Sequence, residues 1–264
     1  MMTTRPLVLA GYAVAALLHC APATAQFQGL VSLPPVGPAD SRLLLGAGAL
    51  LRPAYPGSDE RKAMVLPYID YAHRNGFFAS TTSGLGYSFV HTPQTQFGVR
   101  LIPRFGRDED DAALLRGMGD LDPGVEASVY WTRMLYPGWT VGMNLRGGDE
   151  GAEFDAGVRR DLQLGRMTRM SLTGYLTAAN GRSQRAWFGV DATQAERSGL
   201  PAYSPSSGLR SVHLAATVNH FFAGRWIAIG GVGLSRLTGE AADSPLVRER
   251  TSIGGFAAIG YQLF

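Results

Sequence analysis

Between Ser41 and the terminal Phe264 the chain breaks into short segments in which apolar and polar residues alternate. This two-residue period constrains the fold more than any other feature, because successive side chains on a strand point to opposite faces. Phe97, Val99, Leu101, Pro103 and Phe105 share one face of an extended segment, with Gly98, Arg100, Ile102 and Arg104 on the other. Val125, Ala127, Val129 and Trp131 then oppose Glu126, Ser128, Tyr130 and Thr132. After a turn at Tyr136-Pro137-Gly138, Trp139, Val141, Met143 and Leu145 oppose Thr140, Gly142, Asn144 and Arg146, which reads as an antiparallel hairpin. The pattern returns around Phe154, Leu172 and Leu214, and less regular candidates lie at 43–51, 64–71, 77–90, 186–190, 226–237 and 252–264. The reading is an all-β fold: a closed antiparallel transmembrane β-barrel, up-and-down, with about 12 strands, or about 10 if irregular stretches merge. Its apolar rows face lipid and its polar rows face the interior.

The N-terminus carries a secretory leader over residues 1–25. Arg5 supplies the positive start, Val8 to Leu18 the apolar stretch, and Ala23-Thr24-Ala25 a small-x-small cleavage site, so the mature chain is expected to begin at Gln26. Residues 26–40, with Pro34, Pro35 and Pro38, read as an irregular periplasmic arm, and 41–264 as the barrel. No segment supplies the roughly 20 continuous apolar residues of a membrane-spanning helix. Cys20, the only cysteine, lies in the leader, which leaves the mature chain without a disulfide or cysteine site; bulky His19 argues against lipidation at Cys20. Losing the leader removes Arg5 and no acid, so a formal charge of +3 becomes +2. The basic residues are dispersed through the strands, and nucleic-acid binding finds no support.

A secreted β-sandwich would also alternate. Charged residues on the opposite faces and aromatic residues near segment ends favour the barrel. Trp131, Tyr136, Trp139, Trp187 and Trp226 are the expected membrane-interface aromatics. The expected lumen residues are Arg100, Arg104, Glu126, Arg146, Glu153, Asp155, Arg159, His213 and Asn219. They either fill the interior as ion pairs or orient a small polar solute in a passage. Ser211 and His213 would share a face, but no orienting acid or oxyanion donors can be identified, so no catalytic residue is assigned. Asp108, Glu109, Asp110 and Asp111, with Asp120 and Asp122 downstream, offer oxygen ligands without the spacing of a calcium loop. A hydrated extracellular surface is favoured there, and no metal or cofactor is assigned.

Several longer stretches add a resemblance. Gly46-Ala47-Gly48 leads into Pro53-Ala54-Tyr55-Pro56-Gly57-Ser58-Asp59; Asn75-Gly76-Phe77-Phe78 is followed by Gly84-Leu85-Gly86-Tyr87; Ser244-Pro245-Leu246-Val247 precedes a last strand, Gly254 to Phe264. In these the chain resembles the MipA/OmpV family of outer-membrane proteins, also described as MltA-interacting proteins. The resemblance implies the outer membrane of a Gram-negative bacterium, with outer-membrane lipid and lipopolysaccharide as surroundings. It also implies insertion by the outer-membrane assembly machinery, for which Tyr261 and Phe264 look like the terminal signal. Gln262 stands where that signal has a second aromatic residue. Two roles follow from the family: a cell-envelope scaffold joining a lytic transglycosylase to a peptidoglycan synthase, taken first, and a narrow porin-like channel for small polar solutes. No enzymatic activity is implied.

Overall fold

The computed structural model describes residues 41–264. The expected leader and periplasmic arm lie outside the described residues. Twelve strands close into one antiparallel barrel: β1 (Arg42–Pro53), β2 (Arg61–Ala72), β3 (Phe77–Ser80), β4 (Gly84–His91), β5 (Thr95–Arg104), β6 (Gly124–Tyr136), β7 (Trp139–Gly148), β8 (Gly151–Gln163), β9 (Thr168–Ala179), β10 (Gly208–Phe222), β11 (Trp226–Leu237) and β12 (Thr251–Gln262). Each strand pairs with its sequence neighbours, and β12 returns to β1 through the register Leu44↔Gln262 to Leu51↔Gly255. Closure leaves no free sheet end, which is what a β-structure needs to cross hydrocarbon. Among the described residues no helix is long and apolar enough to cross a membrane.

The expected strand number holds through two compensating differences. Residues 77–90 are two strands, β3 and β4, because the chain reverses at Thr81–Ser83. Residues 186–190, expected as a strand, instead hold the last turn of helix α1 (Gly181–Phe188) and, past Gly189, a lone antiparallel bridge between Val190 and Tyr203. The Asn180 side chain caps α1 by accepting the Ser183 N–H, and this local bond offers the backbone an alternative to pairing in the sheet.

Outward rows carry the expected apolar side chains: Leu101, Val125, Leu145 and Leu214 are each at least half exposed. Phe105 departs from its row; β5 ends at Arg104, and the ring turns inward beside Leu50 and Ala215. Short turns occupy the end where β1 starts and β12 stops, and longer segments the opposite end. By the usual asymmetry of such barrels the turn end is periplasmic and the loop end extracellular.

At the extracellular end residues 54–60, 105–123, 180–207 and 238–250 pack on one another. Ala54, Tyr55, Ala112, Leu115, Met118, Val190 and Leu246 form one apolar cluster there; Trp187, Phe188, Leu237, Ala241 and Ala242 form a second. Besides α1 this cap contains α2 (Ala192–Ser198), with an Asp191–Gln194 capping box, and the short α3 (Gly239–Ala242). Trp187, expected at the membrane interface, is therefore in the cap and only 6% exposed. Trp131, Tyr136, Trp139 and Trp226 do lie on the wall's outer rows towards the periplasmic end, where Trp226 meets Tyr261 edge-on at 5.2 Å.

The seam between first and last strands has no room for a side chain at Gly46. A Cβ there would stand 1.9 Å from the Ile259 carbonyl oxygen. Gly46→Val is expected to block closure, removing the heat-modifiable folded band on a semi-native gel. Gly165→Ala, at a turn with nothing within 4 Å, should fold normally.

Candidate functional site: the charged lumen and its cap

Strand register stacks the interior into rows. One row runs Arg100, Ser128, Arg146, Glu153 across β5 to β8. The next runs Gly98, Tyr130, Asn144, Asp155, Thr177, Ser211 across β5 to β10. A third holds Gly142, Gly157, Tyr175, His213 and Ser235. The lumen chemistry expected from sequence is thus assembled by adjacency in the ladder.

Arg146 is the centre. Its guanidinium lies 3.3 Å from Glu126 and 3.1 Å from Asp155 and is bonded to Glu153. Asp155, fully buried, also accepts from Asn144 at 3.1 Å and Thr177 at 2.7 Å. Arg100 donates to Asn144 Oδ1 at 3.1 Å and lies over the Tyr130 ring at 5.3 Å. Glu153 is shared further, accepting from Arg210 and from Ser183 Oγ at 2.8 Å. Three guanidinium groups (Arg100, Arg146, Arg210) therefore balance three carboxylates (Glu126, Glu153, Asp155). Buried charges in a low-dielectric interior persist only when matched in this way.

The remaining expected lumen residues are placed apart from this cluster. Arg104 is buried, with Glu150 at 3.8 Å. Arg159 bonds Asp161 at 3.2 Å, nearer the periplasm. Asn219 sits lower still, opposite Arg169 and Ile229. His213 stacks on Tyr175 at 4.3 Å and hydrogen-bonds Ser211 Oγ at 2.7 Å; no carboxylate among the described residues hydrogen-bonds its ring.

Two contributors were not legible in the pattern. A register shift between Leu209 and Ser211 interrupts alternation and turns Arg210 inward, the re-aiming that a bulge produces. Ser183 comes from α1, so the cap reaches into the charge cluster through a single hydroxyl. Above it Arg107, only 2% exposed, donates to the Trp187 carbonyl at 3.1 Å, and Ser244 Oγ donates to that of Phe188 at 2.6 Å. A cavity of about 80 Å³ remains between Arg104, Glu126, Arg210 and Trp187 and the small residues Gly233 and Ser252.

The acidic loop is partly internal to the protein, not simply a hydrated surface. Glu109 Oε2 accepts from Gly117 and Gly119 N–H at 3.1 Å, and Asp111 pairs with Lys62. Asp108, Asp110, Asp120 and Asp122 stay exposed. No group of three or more His, Cys, Asp or Glu among the described residues could hold a metal.

Fold and interior together define an outer-membrane β-barrel. Residues 45–263 match the family described as MltA-interacting protein MipA, and the chain belongs to that family. None of the curated proteins matches it in sequence. Among solved structures, one described as the NanC porin in a rhombohedral crystal form is similar at TM-score 0.48 and 8% identity, covering 83% of this chain and 98% of that one. The COG4313 outer membrane channel from Pseudomonas putida F1 is similar at TM-score 0.45 and 9% identity, with 88% and 99% covered.

Two outcomes are expected from this geometry. Arg146→Ala leaves three carboxylates facing an empty centre and should cost about 3–5 kcal/mol, read from urea titration of the folded band. Tyr55 tests the cap: its hydroxyl donates to the Leu246 carbonyl at 2.9 Å, and burial first, then nearby Asp59, pushes its pKa from 10.0 up to about 12. Because the folded value lies above the ordinary one, the neutral phenol's contribution is whole below pH 10 and is lost as pH rises toward 12. Trp187 emission should report cap loosening in that window, and Tyr55→Phe should abolish the transition.

Proposed function

We propose that this barrel is a non-conducting scaffold whose periplasmic rim docks a lytic transglycosylase and brings it near a peptidoglycan synthase. The observation that carries this reading is the filled interior. Arg146 and its carboxylates, with Arg100 and Arg210 on either side, occupy the lumen from β5 to β10, and the cap reaches them through Ser183. A lumen whose charges are spent on one another leaves the outer surfaces to do the work. The family description, MltA-interacting protein, supports a lytic transglycosylase as the partner.

The periplasmic rim suits docking. Arg74, Arg133, Arg166, Arg169 and Arg225 are exposed at that end. The two acids described there, Asp70 and Asp161, are already paired, with Arg42 and Arg159. The β8–β9 turn adds exposed apolar contact, with Leu164 58% and Met167 57% exposed. A basic rim with apolar side chains beside it complements an acidic protein face and would steer its approach.

The test is capture of a purified MltA-type lytic transglycosylase by refolded barrel in a salt series. Binding should weaken as salt rises, and Arg166→Glu with Arg225→Glu should lower affinity about tenfold, or 1.4 kcal/mol. Absence of capture by folded barrels would end the scaffold reading. In planar bilayers the same preparation should give no conductance steps. Reproducible steps altered by Arg100 or Glu126 substitution would instead favour solute passage.

A further inference from the structure

The barrel wall is not paired along its whole height. β2 runs beside β1 over its full length, from Arg42↔Ala72 to Pro53↔Arg61. On its other side it pairs with β3 only over Asp70–Ala72. The short β3 then turns back at Thr81–Ser83, partway up the wall. That tip adds bonds from Thr81 N–H to the Ile69 carbonyl at 2.9 Å, from Ile69 N–H to Thr81 Oγ1 at 3.0 Å, and from Thr81 Oγ1 to the Pro67 carbonyl at 2.9 Å.

Above Pro67, the stretch Lys62–Leu66 has no strand on this side among the described residues. At about 3.3 Å per residue it is a gap some 16 Å long. The opposite bank is the upper end of β5, where Ile102–Arg104 extends past the start of β4. Lys62 and Asp111 join the two banks at the top, with Ala113 N–H donating to Glu60 Oε1 at 3.1 Å. The result is a notch in the extracellular half of the wall, closed above and below. Val65 on its outer face is 78% exposed.

What lies on each side says what the notch can take. The outer side is bilayer, since it adjoins the apolar rows of the wall. Behind it, inward-facing and partly buried Met64 and Leu66 pack with Leu50, Phe105 and Phe256, an apolar cluster quite unlike the charged rows of β5 to β10. The edge between them is polar: Ile69 directs its backbone N–H and C=O towards the β3 side, and the two-residue period points those of Val65 and Ala63 the same way. An occupant must therefore offer hydrocarbon to the Met64 and Leu66 side chains and a carbonyl to the edge, because unpaired backbone is costly in lipid.

We propose that the notch is a lateral port that seats one outer-leaflet lipid. Its acyl chain lies in the gap against Met64 and Leu66, and its ester or amide carbonyl accepts from the β2 edge. Lys62, at the top of the notch, stands where a headgroup phosphate would follow. This port opens to the bilayer and not along the barrel axis, so it is independent of whether the periplasmic rim binds a protein.

The test uses the full barrel, refolded into bilayers of phosphatidylcholine brominated on its acyl chains. Trp131, Trp139, Trp187 and Trp226 are replaced by phenylalanine, and a single reporter is introduced as Leu66→Trp, as Val65→Trp on the outer face, or as Ile229→Trp inside the lumen on β11. The expected result is that Leu66→Trp loses emission to nearly the extent of Val65→Trp, while Ile229→Trp is spared. Equal sparing of Leu66→Trp and Ile229→Trp would overturn the proposal. So would quenching of Leu66→Trp by aqueous iodide in place of the brominated chains, which would mean a water-filled gap. A second measurement needs no substitution: phosphatidylcholine carrying a photoactivatable group on its acyl chain should label Met64 or Leu66. Labelling confined to outward residues such as Val65 would equally reject the port.

Discussion

A guanidinium taken out of water has to find its counter-charges within hydrogen-bond reach, and the interior of this barrel is arranged around that demand at Arg146. Glu126, Glu153 and Asp155 reach it from β6 and β8. Glu153 and Asp155 then take further donors, which brings in Arg210 and Ser183 for the first and Asn144 and Thr177 for the second. Such a cluster is weak evidence for net stability, since desolvation offsets most of the attraction. It is better evidence for specificity. A one-residue slip of β7 against β8 would point Arg146 into lipid and leave three acids in the lumen, so register and charge pairing enforce one another.

Filling is uneven around the barrel. Long polar side chains come from β5 to β10, whereas β11 and β12 contribute small residues such as Gly231, Gly233 and Ser252 beside the charges and apolar ones, Ile227, Ile229 and Phe256, elsewhere. Space for a stacked pair of rings arises the same way: Tyr175 and His213 lie in a row with Gly157, where a Cβ would press on Tyr175 Cβ at 2.4 Å. The cap completes the arrangement, since α1 lays Ser183 on Glu153 and covers the opening with Trp187. Interior and cap are thus one packed unit, although they come from separate stretches of chain.

Alternation made the wall and most of the lumen legible, because face is a strictly local property of a strand. Arg100, Glu126, Arg146, Glu153 and Asp155 could be assigned inward before any partner was known. What alternation cannot report is whether a short apolar run pairs at all. Residues 186–190 mimic a strand, yet Asn180 at the N-cap of α1, and Asp191 with Gln194 at the start of α2, carry the signal that this region is helical. Trp187 was misplaced for the same reason. Arg210 was hidden by a bulge, which changes the parity of a strand without changing its composition. How far β3 climbs beside β2 was likewise unreadable, because strand height depends on where a partner stops.

The bank-to-bank contact above the notch has a chemical side. Lys62 is the only lysine in the sequence, against 23 arginines, and its ammonium is held by Asp111. An acylating dye therefore meets a single side-chain amine, one already engaged by the Asp111 carboxylate. The rate of that one reaction is a clock on how often the contact between the start of β2 and the β5–β6 loop breaks, available in the unsubstituted protein.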